Sequence, residues 1–154
     1  MLDSETLRNR VARIIACTRF PFVDQENWPR GRRTVVNDEE KRFAVHVEGE
    51  TYYPSIVVLE AGGGVREIGL VETREEVAEG SLPRWRALSQ VCSKGRAHRK
   101  LFLYVPRGLE EKAQRLLEDG GVDYDGIRGY HVENQFLRVT PFETRNDEYD
   151  HAVT

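Results

Sequence analysis

One short apolar run, residues 100–105 (KLFLYV), constrains the fold more than any other feature of the sequence. It ends at Pro106 and has the length and composition of a strand that is buried on both faces. Helical periodicity precedes it in residues 85–92 and follows it in residues 109–117. Residues 126–140 then supply one or two closing strands. A strand, a crossover helix and another strand predict a parallel pair within the sheet.

The N-terminal segment is predicted to be an amphipathic helix over residues 3–18. Apolar residues recur there at steps of three and four, and Asp3 or Ser4 can cap the first turn. Pro21 ends the helix, because the residue before a proline avoids helical angles. Residues 20–39 contain two prolines and a glycine without a sustained period, so we predict an irregular connection.

Three runs with strand character follow, at residues 42–47, 55–60 and 65–71. Ala61 and three glycines separate the second run from the third, which predicts a hairpin. Thr73 and Glu76 have the spacing of a capping box, so a helix is expected to begin at Thr73. The order of elements predicts the α/β class, with a mixed sheet of about five strands and helices on both faces. We expect one domain over residues 1–141 and a polar tail over residues 142–154.

Composition excludes several classes of protein. No apolar run approaches the roughly 18 residues of a membrane helix, so no membrane association is expected. Cys17 and Cys92 match no metal-ligand spacing and are predicted to be reduced core thiols of a cytoplasmic protein. The net charge of −3 does not favour a nucleic-acid partner, so only a local cluster of basic residues would indicate one.

Two segments on neighbouring predicted strands, YPSIVV (53–58) and IGLVET (68–73), carry a resemblance. With the helix around Trp85 and the segment LFLYVPRGLEEKAQRLL, they resemble the restriction-endonuclease-like PD-(D/E)XK superfamily over residues 5–139. The resemblance implies that Ser55 stands where the common form has its metal-binding aspartate, Leu70 where it has the second acid, and Glu72 where it has the lysine. In an uncharacterised branch whose third strand reads Glu-Val-Glu-Thr, Glu72 is the normal residue.

The resemblance also implies phosphodiester hydrolysis with Mg²⁺, which prefers several carboxylate oxygens. Side chains two apart on a strand face the same side, so positions 70 and 72 would both reach a metal beside position 55. Of these three residues only Glu72 is charged, which makes it the predicted metal ligand of a degenerate catalytic site. Displaced carboxylates are the alternative, and the candidates are Glu5, Glu50 and Glu67.

A local basic cluster lies in residues 83–100, which contain no acid. Its six cations are Arg84, Arg86, Lys94, Arg96, Arg99 and Lys100. They can follow a phosphate backbone of DNA or RNA beside Trp85, or they can solvate a helix face while Trp85 packs in the core. A second cluster in residues 30–33 leaves the same two interpretations open.

Three functions follow from these observations. The first is a nuclease-fold protein with a degenerate metal site that associates with nucleic acid as an accessory component. The second is a Mg²⁺-dependent nuclease that uses Glu72 with a displaced carboxylate. The third is a protein-interaction module that retains the fold alone.

Overall fold

The computed structural model describes residues 3–19, 33–93 and 100–145. Within these ranges the chain forms a six-stranded sheet, a separate two-stranded sheet and three α-helices. In chain order the elements are α1 (Ser4–Arg19), β1 (Arg33–Val36), β2 (Val45–Val47), β3 (Glu50–Tyr52), β4 (Ile56–Leu59), β5 (Val65–Val71), α2 (Leu82–Ser93), β6 (Lys100–Pro106), α3 (Glu110–Asp119), β7 (Gly126–Glu133) and β8 (Phe136–Thr144).

The large sheet is mixed, with the strand order β1-β4-β5-β6-β7-β8. Strands β5, β6 and β7 run parallel to one another and are joined by the crossover helices α2 and α3. The pairs β1–β4, β4–β5 and β7–β8 are antiparallel. The predicted α/β class and the parallel pair are therefore confirmed.

The predicted hairpin between β4 and β5 is also confirmed. Its turn is closed by hydrogen bonds from the Gly63 amide to the Glu60 carbonyl and from the Glu60 amide to the Gly64 carbonyl, each 2.8 Å. Gly63 has a φ of +88°, which glycine adopts without strain. The hairpin brings Ile56 opposite Gly69, so that Ser55 lies close to the end of β5.

Helices cover both faces of the large sheet, as predicted. On one face, Val11 and Ile15 of α1 pack with Ile56, Phe102 and Tyr104. The opposite face packs against α2, α3 and the two-stranded sheet, in a core around Trp85, Leu88, Leu103 and Leu117. Apolar burial at this scale is the main stabilising contribution to the fold.

Two predictions for the first strands were wrong. Residues 33–36, expected to belong to an irregular connection, form the edge strand β1 and pair with β4. Residues 42–47, expected to be a strand of the main sheet, contribute only Val45–Val47, which pairs with β3 in the separate sheet. A strand of three or four residues is too short to show the alternation of apolar and polar residues that predicts a strand. Strand β1 forms because the edge of β4 supplies its hydrogen-bonding partners.

The predicted start of the second helix is corrected as well. Thr73 and Glu76 form both hydrogen bonds of a capping box, at 2.8 and 3.3 Å. The box closes a turn, and α2 begins only at Leu82, after a 3₁₀ segment at Glu79–Ser81. Pro83 lies in the first turn of α2, where a missing amide proton is tolerated.

Two smaller expectations concern the C-terminal end of the domain and the cysteines. Strand β8 continues to Thr144, three residues beyond the predicted domain boundary at 141. Cys17 is a free cysteine but is exposed on α1, so the prediction of a core thiol is wrong for it. The side chain of Cys92 lies outside the described residues. None of the described helices is both long and apolar enough to cross a membrane.

Candidate functional site

Glu72, the one acidic residue of the predicted motif, follows directly after β5 and is 1% exposed. Its carboxylate accepts two hydrogen bonds from Arg84, in the first turn of α2. The distances are 2.8 Å between Nη1 and Oε1 and 2.5 Å between Nη2 and Oε2. This planar, two-point geometry is the one that arginine forms best with a carboxylate. Both oxygens of Glu72 are therefore engaged by the protein itself.

The pair belongs to a larger ion network of four residues, Glu72, Arg84, Glu76 and Arg8. Glu76 Oε2 lies 4.0 Å from Arg84 Nη2 and 3.1 Å from Nη1 of Arg8 on α1. The exposed carboxylate of Glu5 also lies 3.7 Å from Arg8, so with Glu5 the network holds three acids and two arginines. It connects α1, the turn after β5 and α2, which are the elements that meet at the end of β5.

Burial and charge oppose each other at the centre of the network. Burial raises the pKa of the Glu72 carboxyl, and the hydrogen bonds and charge of Arg84 act against that rise. Burial alone would lower the pKa of Arg84, but the contacts with Glu72 outweigh it and raise the pKa. Loss of Arg84 would therefore leave the buried carboxylate of Glu72 without its counterion.

The backbone of Glu72 is held from a strand that is not adjacent to it. The hydroxyl group of Tyr130 on β7 donates a 2.7 Å hydrogen bond to the main-chain oxygen of Glu72. Burial raises the pKa of Tyr130, so its hydroxyl stays protonated as a donor. No feature of the sequence indicates this contact, because a single tyrosine in a strand has no distinguishing pattern.

Ser55 and Leu70 line one small cavity of about 120 Å³, together with Arg84. The hydroxyl of Ser55 accepts the Val71 amide at 3.0 Å, and Leu70 is a core residue that is 1% exposed. The structure therefore brings these two motif positions together and connects them to Glu72 through Arg84. Ser55 thus makes a backbone contact and Leu70 packs in the apolar core, and neither residue supplies a carboxylate.

No group of three or more His, Cys, Asp or Glu side chains within the described ranges is placed to hold a metal ion. Glu5 is exposed and lies 3.7 Å from Arg8, and Glu50 is exposed on β3. Glu67 is buried on β5, where Oε1 lies 3.8 Å from Nε of Arg66. None of these three carboxylates lines the cavity at Ser55.

The basic cluster divides into internal and external residues. Arg84 is bound to Glu72, whereas Arg86 is exposed and donates to the Gly120 carbonyl at 3.0 Å. Trp85 is completely buried in the core. Lys94, Arg96 and Arg99 lie outside the described residues, as does the side chain of Lys100, whose backbone begins β6.

A cleft of about 460 Å³ opens elsewhere, at the carboxyl ends of β5, β6 and β7. The turn after β5, the end of β6, the end of β7 and the first turns of α1 form its walls. Arg8, Arg74, Arg107 and His131 line the cleft, together with apolar side chains that include Leu7 and Val132. Sequence analysis missed these residues because they come from four distant segments and share no motif.

No protein-family model, curated protein or solved structure matches this chain. The structure establishes the α/β class and the mixed six-stranded sheet. The relationship to the restriction-endonuclease-like superfamily stays a prediction from the residues quoted above.

Proposed function

We propose that this chain is a nucleic-acid-binding domain of restriction-endonuclease-like architecture in which Arg84 stands in place of the metal ion beside Glu72. The observation that carries the proposal is the two-point hydrogen bonding between these side chains. A divalent cation would have to displace the guanidinium group and would then be repelled by it. The domain is thus catalytically weak or inactive.

The placement of the motif residues supports the family relationship. The hairpin puts Ser55 beside the end of β5, and Ser55 and Leu70 share one cavity wall with Arg84. Helices cover both faces of the mixed sheet, as the resemblance implies. Ser55 and Leu70 carry no negative charge at two positions where the family's common form has acids, and Arg84 neutralises the charge of Glu72.

The basic cluster supports nucleic acid as the partner. With Arg84 assigned to Glu72, five cations remain in residues 83–100: Arg86, Lys94, Arg96, Arg99 and Lys100. Contacts of this kind with phosphates release condensed counterions and depend strongly on salt. The proposal also places the protein in the cytoplasm, where an exposed free thiol such as that of Cys17 stays reduced.

The binding experiment uses fluorescence anisotropy with labelled single- and double-stranded DNA and RNA over a series of salt concentrations. We expect the double substitution Arg96→Glu and Arg99→Glu to weaken binding and to reduce the slope of log affinity against log salt by about 0.7 to 0.9 for each phosphate that the protein no longer neutralises. Arg115→Glu is the matched control, because Arg115 is exposed on α3 outside the cluster. Binding that is the same in both variants would contradict the proposal.

A cleavage assay separates the proposal from the nuclease hypothesis. We expect no cleavage of the bound nucleic acid in Mg²⁺ or Mn²⁺. Cleavage that disappears in Glu72→Gln, while the variant keeps its fold, would instead favour a nuclease that uses a displaced carboxylate. A chain that binds no nucleic acid at low salt would favour a protein-interaction module.

A further inference from the structure

The cleft at the carboxyl ends of β5, β6 and β7 has a formal charge of +2, because three arginines and one glutamate, Glu75, line it. Arg8 is already paired with Glu76 at 3.1 Å. The side chain of Arg74 is exposed and forms no hydrogen bond or ion pair with another described side chain. Nη1 of Arg107 lies 3.3 Å from Nε2 of His131, which in turn lies 3.4 Å from Oε2 of Glu133. Arg107 itself forms no ion pair with a carboxylate of the described residues. The cleft thus has two arginines available for an anion.

The position of the cleft is typical of a ligand site. In open α/β sheets, ligands commonly bind in a crevice outside the carboxyl ends of the parallel strands, and this cleft lies at those ends. Here the turn after β5 supplies Arg74 and the end of β6 supplies Arg107. The volume of about 460 Å³ also falls within the range of small-molecule sites.

The walls of the cleft favour a ligand with an apolar part. Leu7 is 39% exposed and Val132 is 59% exposed, and both line the cleft together with the arginines. Water-exposed apolar side chains beside cations suit a molecule that has one anionic end and one apolar or aromatic body. Arginine pairs with phosphate through two parallel hydrogen bonds, which lysine does not form.

We propose that this cleft binds a small organic phosphate, with the phosphate held by Arg74 and Arg107 and the organic body packed against Leu7 and Val132. The proposal does not depend on the nucleic-acid function. The cleft lies at the carboxyl end of β6, whereas Lys100 of the basic cluster begins the same strand.

Isothermal titration calorimetry with adenosine monophosphate as the probe tests the proposal. We expect the unmodified protein to bind it, and the double substitution Arg74→Gln and Arg107→Gln to weaken binding by at least about tenfold, because the charge-assisted hydrogen bonds to the phosphate are lost. Arg115→Gln is the matched control and should bind as the unmodified protein does. Both substituted arginines are exposed, so the fold should persist, which a melting curve verifies.

Two further probes examine the two halves of the ligand. Adenosine lacks the anion and should bind at least about tenfold more weakly than the monophosphate. Ribose 5-phosphate lacks the adenine ring and should also bind more weakly than the monophosphate. Leu7→Ser should reduce that difference, because Leu7 is one of the two side chains proposed to contact the organic body. The proposal is overturned if no probe binds, if adenosine binds as well as its monophosphate, or if the double variant binds as well as the Arg115→Gln control.

Discussion

Arg84 and Glu72 are twelve residues apart and form a buried pair that closes the crossover from β5 to α2. The side chain of Glu72 is 1% exposed and that of Arg84 is 29% exposed, so the carboxylate has little access to water. Removal of one partner from such a pair destabilises a protein far more than replacement of both, because a lone buried charge is left behind. The pair therefore couples the motif position to the stability of the fold.

We expect Arg84→Met to lower the free energy of unfolding by about 3–5 kcal/mol at neutral pH. The loss should be smaller at pH 5 than at pH 8. Burial raises the pKa of Glu72, and without Arg84 that rise is unopposed, so the folded state keeps a proton that the unfolded state releases. Stability then falls as the pH rises from the ordinary glutamate value towards the raised one. Urea denaturation at the two pH values measures the effect.

The matched control for this prediction is the double variant Glu72→Gln and Arg84→Met. It has no carboxyl group to titrate at position 72, so its loss of stability relative to the unmodified protein should not show the same dependence on pH. Equal losses for the single variant Arg84→Met at pH 5 and pH 8 would contradict the assignment of the effect to Glu72.

The elements that sequence predicted well are those that bury a continuous face. Helix α1 has its apolar residues at helical spacing, and β4 and most of β6 are apolar runs that the sheet buries almost completely. Strand β1 was missed because its four residues follow a segment rich in proline and glycine. Its pairing depends on the edge of β4, which is a tertiary relationship that no local pattern contains.

Charged residues were harder to assign. The sequence identified Glu72 as the remaining acid of the motif, but it grouped Arg84 with the nucleic-acid contacts. Nothing in a sequence shows which arginine turns inward, and the pairing arises because α2 packs on the face of the sheet that carries position 72. The cleft could not be predicted for a related reason. Arg74 and Arg107 are far apart in the sequence and line the same cleft only because two strands end side by side.

Positions 55 and 70 can be tested by restoring the carboxylates that the resemblance predicts there. Ser55→Asp with Leu70→Glu adds two carboxylates on neighbouring strands next to Glu72, which supplies the hard oxygens that Mg²⁺ prefers. Close carboxylates repel one another, and Leu70 is a core residue, so we expect a lower melting temperature without metal. Mg²⁺ or Mn²⁺ should recover part of the stability, by about 2.7 kcal/mol when the metal is at a hundred times its dissociation constant.

The control for restoration is Ser55→Asn with Leu70→Gln, which has similar side-chain shapes without the charge. Its melting temperature should not respond to either metal, and the unmodified protein should show at most weak binding by calorimetry. A folded Ser55→Asp, Leu70→Glu variant that ignores both metals would argue against a former metal site at this position.

A final prediction concerns the close approach of β6 and β7. A Cβ atom on Gly126 would lie 2.6 Å from both a ring carbon of Phe102 and Nη1 of Arg128. The guanidinium group of Arg128 is buried over the Phe102 ring, 5.2 Å from its centroid, and donates to the Glu143 carbonyl at 2.8 Å. Neither neighbour is free to move away, so we expect Gly126→Ala to destabilise the protein by about 1–3 kcal/mol.

Gly62→Ala is the matched control, because a Cβ atom there meets nothing within 4 Å and the residue does not have a positive φ. Its effect on stability should be within about 0.5 kcal/mol of zero, as for ordinary surface substitutions. Urea denaturation of the two variants side by side measures the difference. Equal midpoints for both alanine variants would show that β6 and β7 can separate at Gly126, and that the stacking of Arg128 on Phe102 does not require a glycine beside it.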